Sequence, residues 1–199
     1  MKALGSAFLI VVIVATVSCQ AKYVRDTDDP TLDEDAMSLR IDRKDLDRLY
    51  RENVKALLDS QVVKDWDLSA ADGIAPVVAI FPMRNQTSEH IGDSLNALLS
   101  KLETDLVNGT RARVVSAENQ PDLMTEIRRQ MAGGYDASAL AKFGRQLGAQ
   151  FLVTGKVYDV AERARDERRV QYFMFVQVLD VETGSIRFQH EAKVTKGLR

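Results

Sequence analysis

The chain has 199 residues, of which 45% are hydrophobic and 28% charged, and its 27 basic and 29 acidic residues leave a net charge of −2. This composition excludes disordered, collagen-like and disulfide-scaffold proteins, and the near balance of charge gives no reason to expect a nucleic-acid partner. One cysteine and two distant histidines also exclude an internal disulfide and a histidine-rich metal site.

The first eighteen residues have the pattern of an export signal. Lys2 is a short positive region, residues 7–17 are uncharged and almost wholly apolar, and small residues precede Cys19, the only cysteine in the chain. A short apolar run with a small-residue exit is typical of a secretory signal rather than of a stable membrane span. Because a cysteine thiolate is a good nucleophile for taking up a lipid, we predict a lipoprotein signal at residues 1–18 and lipid attachment at Cys19.

The cleavage point itself resembles a lipobox. It reads Thr16-Val17-Ser18-Cys19, with Thr16 in place of the usual leucine, and Gln20 follows. An aspartate after the cysteine is the usual inner-membrane retention signal of such lipoproteins, so its absence favours the outer membrane. Two alternatives remain: an ordinary cleaved signal with an incidental cysteine, and an uncleaved anchor.

Residues 19–42 are predicted to be the lipid anchor and an acidic tether. Six acids lie between positions 26 and 35, around Pro30, and no apolar period is present. A run of like charges is typical of a solvated, extended segment, and some 20 residues reach at most about 70–80 Å. The alternative is that Tyr23-Val24 or the acids contact a partner or the folded domain.

Residues 43–199 are predicted to form one α/β domain, a mixed β-sheet with a C-terminal antiparallel meander packed by about four helices. In chain order the patterns predict a helix capped by Asp42, a buried strand at residues 76–81, a helix capped by Thr87 or Ser88 and ended by Asn108-Gly109, a strand at residues 113–117, a helix after Pro121, and a helix from Asp136 to Gly148. Strands at residues 151–160 and 170–181 follow, joined by a charged connector at residues 162–169, and a turn at residues 182–185 leads to the last strand.

The residues carry no recognisable catalytic motif. Phosphate-binding glycine loops and a Gly-x-Ser-x-Gly motif are absent. We interpret Glu89-His90 as a first-turn helix pair, His190 as a surface or edge residue, and the acids of residues 159–167 as a solvated hairpin tip. The sequence therefore predicts no catalytic residue, metal, cofactor or small-molecule substrate. A hydrolase that uses residues 84–90 is the alternative of another class.

Two polar features remain as candidates for binding a partner. The first is the loop at the carboxyl end of the first strand, with Arg84, Asn85 and Thr87, because rigid sheets position such loops. The second is a cluster of arginines, a residue type enriched at protein interfaces. Ordinary capping and solvation is the alternative for both features. The clustered arginines are Arg163, Arg165, Arg168 and Arg169.

Four stretches follow one another in the chain: Tyr23-Val24-Arg25-Asp26, the strand, Asn-x-Thr loop and helix start at residues 76–91, the Gly-x-x-x-Gly-Ala turn and strand at residues 144–155, and the final hairpin at residues 180–184. In this order they resemble one family, the LpoB-like outer-membrane lipoproteins that activate bifunctional penicillin-binding proteins. The family's tether is often longer and proline-rich, and a tryptophan is common where this chain has Phe188.

The resemblance implies a non-enzymatic activator anchored in the outer membrane and facing the periplasm. Its folded domain would dock on a small regulatory domain of a peptidoglycan synthase and stimulate glycan polymerisation and crosslinking by allosteric activation. The alternative is a structural or assembly lipoprotein of an envelope secretion or surface-organelle system.

Overall fold

The computed structural model describes residues 38–116, 125, 129, 137–164 and 167–198, which belong to one unit that spans residues 36–199. Within the described ranges, each helix is too short or too polar to cross a bilayer. The helices are α1 (Arg43–Leu58), α2 (Gln61–Ala71), α3 (Gly92–Gly109) and α4 (Ala137–Gln146), and the strands are β1 (Val77–Ile80), β2 (Arg84–Gln86), β3 (Arg113–Ser116), β4 (Phe151–Ala164), β5 (Glu167–Asp180) and β6 (Ile186–Leu198).

The described strands form one mixed sheet in the order β3-β1-β4-β5-β6. β1 pairs in parallel with β3 and β4, and β2 pairs in parallel with β4 farther along. β4, β5 and β6 form an antiparallel meander. The predicted α/β class, the mixed sheet and the C-terminal meander are therefore confirmed.

The main core lies between one face of the sheet and helices α1, α2 and α3. Alternate residues of β4 and β5, such as Val153, Met174 and Val178, pack there against the apolar stripes of the helices. The other face is covered by α4 where Phe143 packs on Leu152 and its neighbours. This second cluster comprises Ala79, Phe81, Phe143, Ala149, Leu152, Leu179 and Val181.

The first helix begins as predicted but ends earlier. The Asp42 carboxylate accepts a hydrogen bond from the Asp45 amide at 3.0 Å, and the Asp45 carboxylate accepts one from the Asp42 amide at 3.1 Å, which makes a capping box. The spacing of apolar residues from Leu46 to Val62 predicts a single helix, but the structure has two, because α1 ends at Leu58 and Ser60 caps α2.

The prediction for the start of α3 is wrong. Neither Thr87 nor Ser88 caps it: the helix begins at Gly92, and its N-cap residue Ile91 makes no side-chain bond. The reason is that residues 84–86 form β2, so the chain must leave the sheet before it can turn into a helix. Glu89 consequently precedes the helix instead of lying in its first turn. The end at Gly109 is as predicted.

The charged connector predicted at residues 162–169 is also wrong in part. β4 continues to Ala164 and β5 begins at Glu167, so most of these residues are paired strand. The polar, charged composition suggested a loop, but on a strand whose sides face solvent such residues are compatible with regular pairing.

Several predictions lie outside the described residues. These are the signal at residues 1–18, Cys19, the acidic run, the Asp136 cap, Arg165, and the helix after Pro121, in which Thr125 and Arg129 are described and helical.

Candidate docking surface at the end of the sheet

The fold brings the two predicted polar features to the same end of the sheet. Gln86, the last residue of β2, pairs with Tyr158 of β4, so the loop that follows it runs beside the part of β4 beyond Tyr158. That part pairs with the start of β5, with Glu162 opposite Arg169. We name this region the arm end: residues 38–42, the loop 87–91, and the strand residues 159–164, 167–172 and 194–198.

The Asn-x-Thr motif of the loop closes the loop on itself. The Asn85 amide donates to the Glu89 carbonyl at 2.6 Å, and the Asn85 Oδ1 accepts from the Thr87 hydroxyl at 2.8 Å and the Thr87 N–H at 3.0 Å. The Thr87 Oγ1 also accepts from the Glu89 N–H at 3.1 Å. The polar side-chain atoms of Asn85 and Thr87 thus form hydrogen bonds within this segment and fix the shape of the loop.

The arginines of the cluster have different surroundings. Arg169 is exposed and forms an ion pair with Glu162 across the strand pair, with its Nε 3.2 Å from Oε2. Arg168 is exposed, and its Cα partner is Arg163. Val160 on β4 is 43% exposed although it is a large hydrophobic residue. Arginines beside an exposed apolar side chain match the composition of protein interfaces.

Lys196, which the sequence pattern did not mark as a candidate, fixes the segment through which the chain enters the domain. The Lys196 ammonium lies 2.8 Å from Asp42 and 2.7 Å from Asp45, and it donates to the Arg40 carbonyl at 2.9 Å. The Tyr172 hydroxyl donates to the Leu39 carbonyl at 3.0 Å. Residues 39–42 are therefore fixed against β5 and β6.

The ion cluster shifts the pKa values of Asp42 and Lys196 in the directions that favour their charged forms. Burial by itself would raise the pKa of Asp42, but the hydrogen bonds from Lys196 and the Asp45 amide outweigh it and hold the pKa below its ordinary value of 3.8. Burial would likewise lower the pKa of Lys196, yet the hydrogen bonds to the two carboxylates raise it above 10.5. The charged forms of Asp42 and Lys196 are therefore favoured together.

The face of the sheet opposite helices α1, α2 and α3 carries, next to the arm end, a row of aromatic and charged side chains. The rings of Tyr158 and Phe173 are stacked with centroids 5.0 Å apart, and the Lys156 Nζ lies 5.1 Å from the Tyr158 ring centroid and 5.7 Å from that of Phe175. The Tyr158 hydroxyl donates to Glu191 at 2.5 Å, and this bond, with burial, raises its pKa to about 12. The row stiffens the strands that carry the arm end.

The sequence analysis did not predict this row of side chains, although the sequence contains a signal for it. The strand predicted at residues 170–181 is apolar on both faces, and Phe173 and Phe175 are among the apolar residues of its second face. A cavity of about 330 Å³ opens beside them, lined by Arg84, Gln86, Gly155, Lys156, Phe175 and Gln177.

The opposite end of the sheet has a larger cleft. Its volume is about 550 Å³, and Trp66, Phe151, Arg145 and Arg187 are among its walls, with Ile74 at 69% exposure beside them. The prediction included none of these residues, because they come from four separate elements.

The two histidines have no catalytic setting in the described structure. His190 lies on β6, an edge strand of the described sheet as predicted, but it is half-buried, with its Nδ1 3.1 Å from the Oδ1 of the buried Asn53. Asn53 also donates to the carbonyls of Leu49 and Met174 and so joins α1 to β5. Among the described residues, no three side chains of metal-ligand type lie close together. The arrangement offers surfaces for binding.

Comparison with known proteins gives a family match across almost the whole described domain. The model of the family described as "Peptidoglycan-synthase activator LpoB" matches residues 45–194. No curated protein matches the chain. Similar solved structures include the LpoB C-terminal domain from Salmonella enterica, 18% identical with a TM-score of 0.45 over 73% of this chain and 97% of that one. E. coli LpoB is 14% identical with a TM-score of 0.46 over 100% and 85%, and lipoprotein GNA1162 from Neisseria meningitidis is 13% identical with a TM-score of 0.41 over 61% and 83%.

Proposed function

Because the chain belongs to the LpoB family of peptidoglycan-synthase activators, we propose that it binds and activates a bifunctional penicillin-binding protein through its arm end. In this proposal the protein is a lipoprotein anchored in the outer membrane through Cys19, and its folded domain acts in the periplasm. It supplies binding energy rather than a reacting group, so the docked complex must favour the active conformation of the synthase.

The observation that carries this proposal is the meeting of the two polar features. The parallel pairing of β2 with β4 puts Asn85 and the loop after it on the side of β4 that faces away from β5, and Arg168 and Arg169 lie on β5, opposite the residues of β4 beyond Tyr158. Arg168 lies on the face of the sheet that carries Tyr172 and Met174, whereas Arg169 lies with Glu162 and the exposed Val160 on the opposite face, so this end of the sheet presents arginines on both of its faces. Pre-organised surfaces of this composition lose little conformational freedom on binding, which favours affinity.

The roles of the proposed site residues follow from their contacts. Arg168 and Arg169 are exposed and have the donor geometry to bind carboxylates of the partner. Arg84, at the start of β2, lies at the edge of the 330 Å³ cavity on the sheet face. Asn85 and Thr87 are positioning residues, since their polar atoms hold the loop. Arg163 and Arg165 complete the proposed set.

The test measures glycan polymerisation and peptide crosslinking by a synthase from the same cell, with and without the purified chain that starts at Gln20. The wild-type chain is expected to accelerate the synthase and to leave peptidoglycan alone unchanged. Replacing Arg168 and Arg169 with alanine is expected to raise the concentration for half-maximal activation about 10-fold or more. Since exposed ion pairs contribute little to stability, this variant should keep its fold.

The matched control is Arg187→Ala, which removes an arginine of similar exposure at the other end of the sheet. It is expected to activate as the wild type does. Equal activation by the Arg168/Arg169 variant would show that the arm end is not the docking surface. Failure of every bifunctional synthase of the cell to respond to the wild-type chain would refute the function itself, and a stable ring-shaped oligomer in light scattering would favour the assembly role instead.

A further inference from the structure

We infer that two copies of this chain associate by pairing their β6 strands edge to edge. The two strands would run antiparallel about a two-fold axis that passes between the two Ala192 residues, so that one sheet continues across both copies. This inference does not rest on the proposed function. Three observations carry it: the open edge of β6, the self-complementary order of the charges on β6, and a second complementary pair of charges on α1.

β6 is an edge of the described sheet, because among the described residues it pairs with β5 on one side only. Its ladder with β5 is regular from Phe188 to Leu198, and no proline interrupts it. A long, regular edge leaves a row of N–H and C=O groups that form a template for another strand. The side chains on the face away from the helices are exposed: Arg187, Gln189, Glu191, Lys193 and Thr195.

The charges of β6 are ordered so that the strand complements itself. In an antiparallel pair about a two-fold axis, each residue lies opposite the residue that is equally far from the central one on its other side. Because Ala192 is the midpoint of Ile186–Leu198, an axis there pairs the whole strand. Glu191 then lies opposite Lys193 of the second copy, and the axis repeats this pair. Opposite charges across a strand pair stabilise it.

Neighbouring registers are less favourable. An axis at Glu191 or at Lys193 would place that side chain opposite its own copy, and an axis at His190 would place Arg187 opposite Lys193. Like charges that lie directly opposite each other destabilise a strand pair. The pair is also available: among the described residues Lys193 has no ion-pair partner, and the Tyr158 hydroxyl uses one of the two oxygens of the Glu191 carboxylate.

The position of α1 leaves room for the second copy. Asn53 of α1 donates to the Met174 carbonyl of β5 at 3.0 Å and contacts His190 of β6 at 3.1 Å, so the helix lies above these two strands. Because neighbouring strands lie about 4.8 Å apart, an axis just beyond β6 would put the two α1 helices about 10 Å apart. Packed helices lie about 8–10 Å apart, so the two helices would be in contact across the axis.

The outer side of α1 carries the second pair of charges. The Tyr50 hydroxyl donates to Asp105 of α3 at 2.6 Å, so the side of α1 with Tyr50 faces α3. With about 3.6 residues per turn, Arg48 and Glu52 lie on the side of the helix away from α3. Both side chains are exposed, and they face the position of the second copy.

The same axis brings these charges together. α1 runs antiparallel to β6, because Asn53 contacts His190 while Asp45 contacts Lys196. The middle of α1 between these two contacts therefore lies close to the middle of β6. Two-fold symmetry about that point places the outer arginine of each α1 beside the outer glutamate of the other. One axis thus accounts for complementary charges on a strand and on a helix.

The first test is sedimentation velocity of the chain that starts at Gln20, at concentrations between about 10 and 500 µM. We expect a monomer–dimer equilibrium. Lys193→Glu opposes two carboxylates and should raise the dimer dissociation constant about 10-fold or more. Adding Glu191→Lys to it exchanges the two charges and should restore the wild-type constant to within about threefold. A chain that stays monomeric, or a dimer that Lys193→Glu leaves unchanged, would overturn the inference.

Further variants separate the edge from charge effects in general. Arg48→Glu should weaken the dimer several-fold, because it opposes Glu52 of the second copy. Lys142→Glu, at an exposed position on α4, is the matched control and should leave the dissociation constant unchanged. Equal weakening by Lys142→Glu would mean that net charge is responsible and would overturn the inference. Growth to species larger than a dimer would show an open contact and would also overturn it.

The register is tested with cysteines, since the chain that starts at Gln20 contains none. An axis at Ala192 places Gln189 opposite Thr195 of the second copy, whereas each lies about 20 Å along the strand from its own equivalent. A mixture of Gln189→Cys and Thr195→Cys chains should therefore form an intermolecular disulfide in air at least tenfold faster than either chain alone. Equal rates in the mixture and in the single variants would overturn the inferred register.

Discussion

At the scale of single residues, Lys196 is the side chain on which the arm end most depends. Only 14% of it is exposed, and it bonds to two carboxylates and one carbonyl. Its partners lie about 150 positions earlier in the sequence, so it ties the beginning of the domain to its end. The ends of α1 and β6 are thereby joined by charged hydrogen bonds, which are the strong ones.

Replacing Lys196 with methionine is expected to destabilise the domain by about 1–3 kcal/mol, because two half-buried carboxylates lose their counter-ion and the Arg40 carbonyl loses its donor. Urea unfolding measures the change. Lys193→Met, at an exposed position on the same strand, is the control and should change stability by less than about 0.5 kcal/mol. A loss no larger than that of the control would contradict the role given to the cluster.

The same pair of proteins gives a prediction for pH. The folded pKa of Asp42 is lowered, so its contribution is present above its ordinary value of 3.8 and is lost as the pH falls through the folded value. The folded pKa of Lys196 is raised, so its contribution is present below 10.5 and is lost as the pH rises through the folded value. The stability difference between wild type and Lys196→Met should be level from about pH 5 to 9 and shrink outside that range. A stability difference that varies steadily between about pH 5 and pH 9 would mean that groups other than Asp42 and Lys196 cause it.

Gly155 is the second residue with an unusual constraint. A Cβ there would lie 2.4 Å from the Phe175 carbonyl oxygen, a backbone atom that cannot move aside. Gly155→Ala should therefore cost about 1–3 kcal/mol of the free energy of unfolding. Gly92→Ala is the control, since a Cβ on Gly92 meets no atom within 4 Å. Thermal unfolding of the two variants compares them, and equal midpoints would contradict the predicted clash.

At the scale of elements, the loop 87–91 has its shape from hydrogen bonds that Thr87 makes with both Asn85 and Glu89. Thr87→Val removes these bonds at nearly constant volume and is expected to weaken synthase activation several-fold while the helices and the sheet remain folded. Thr87→Ser keeps the hydroxyl and should restore activation. Full activation by Thr87→Val would contradict the role given to the hydroxyl, and loss of activation in Thr87→Ser as well would mean that the hydroxyl alone is not sufficient.

The element boundaries show where local pattern is sufficient. The start of α1 is predicted because Asp42 before an apolar helical period is a local capping signal, and the structure adds a reciprocal bond from Asp45. The start of α3 was predicted wrongly because Thr87 has the same local signal but is used in the loop that ends β2. A capping residue identifies a turn, whereas pairing with a distant strand decides whether a helix follows at once.

At the scale of the whole molecule, the proposed anchor decides where the surface can act. Cys19→Ser is expected to abolish metabolic labelling with a palmitate analogue and to release the protein from the membrane fraction, because the thiol is the atom that would carry the lipid. Labelling that persists in the variant, or a wild-type protein found unlabelled in the culture medium, would refute the anchor and with it the placement in the outer membrane.

The sequence by itself determined the fold class, most of the strands, the end of α3 and the membership in a family of activators, because these depend on periodicity and on ordered local motifs. Only the tertiary structure decided that β2 pairs with β4, that Lys196 binds Asp42, and that Tyr158, Phe173 and Phe175 share a face of the sheet. Those facts depend on strand register and on contacts between residues far apart in the chain. Residue spacing predicts which side chains of a strand share a face, but it does not identify the partner strand, and registers that differ by two positions keep the same side chains on the same face.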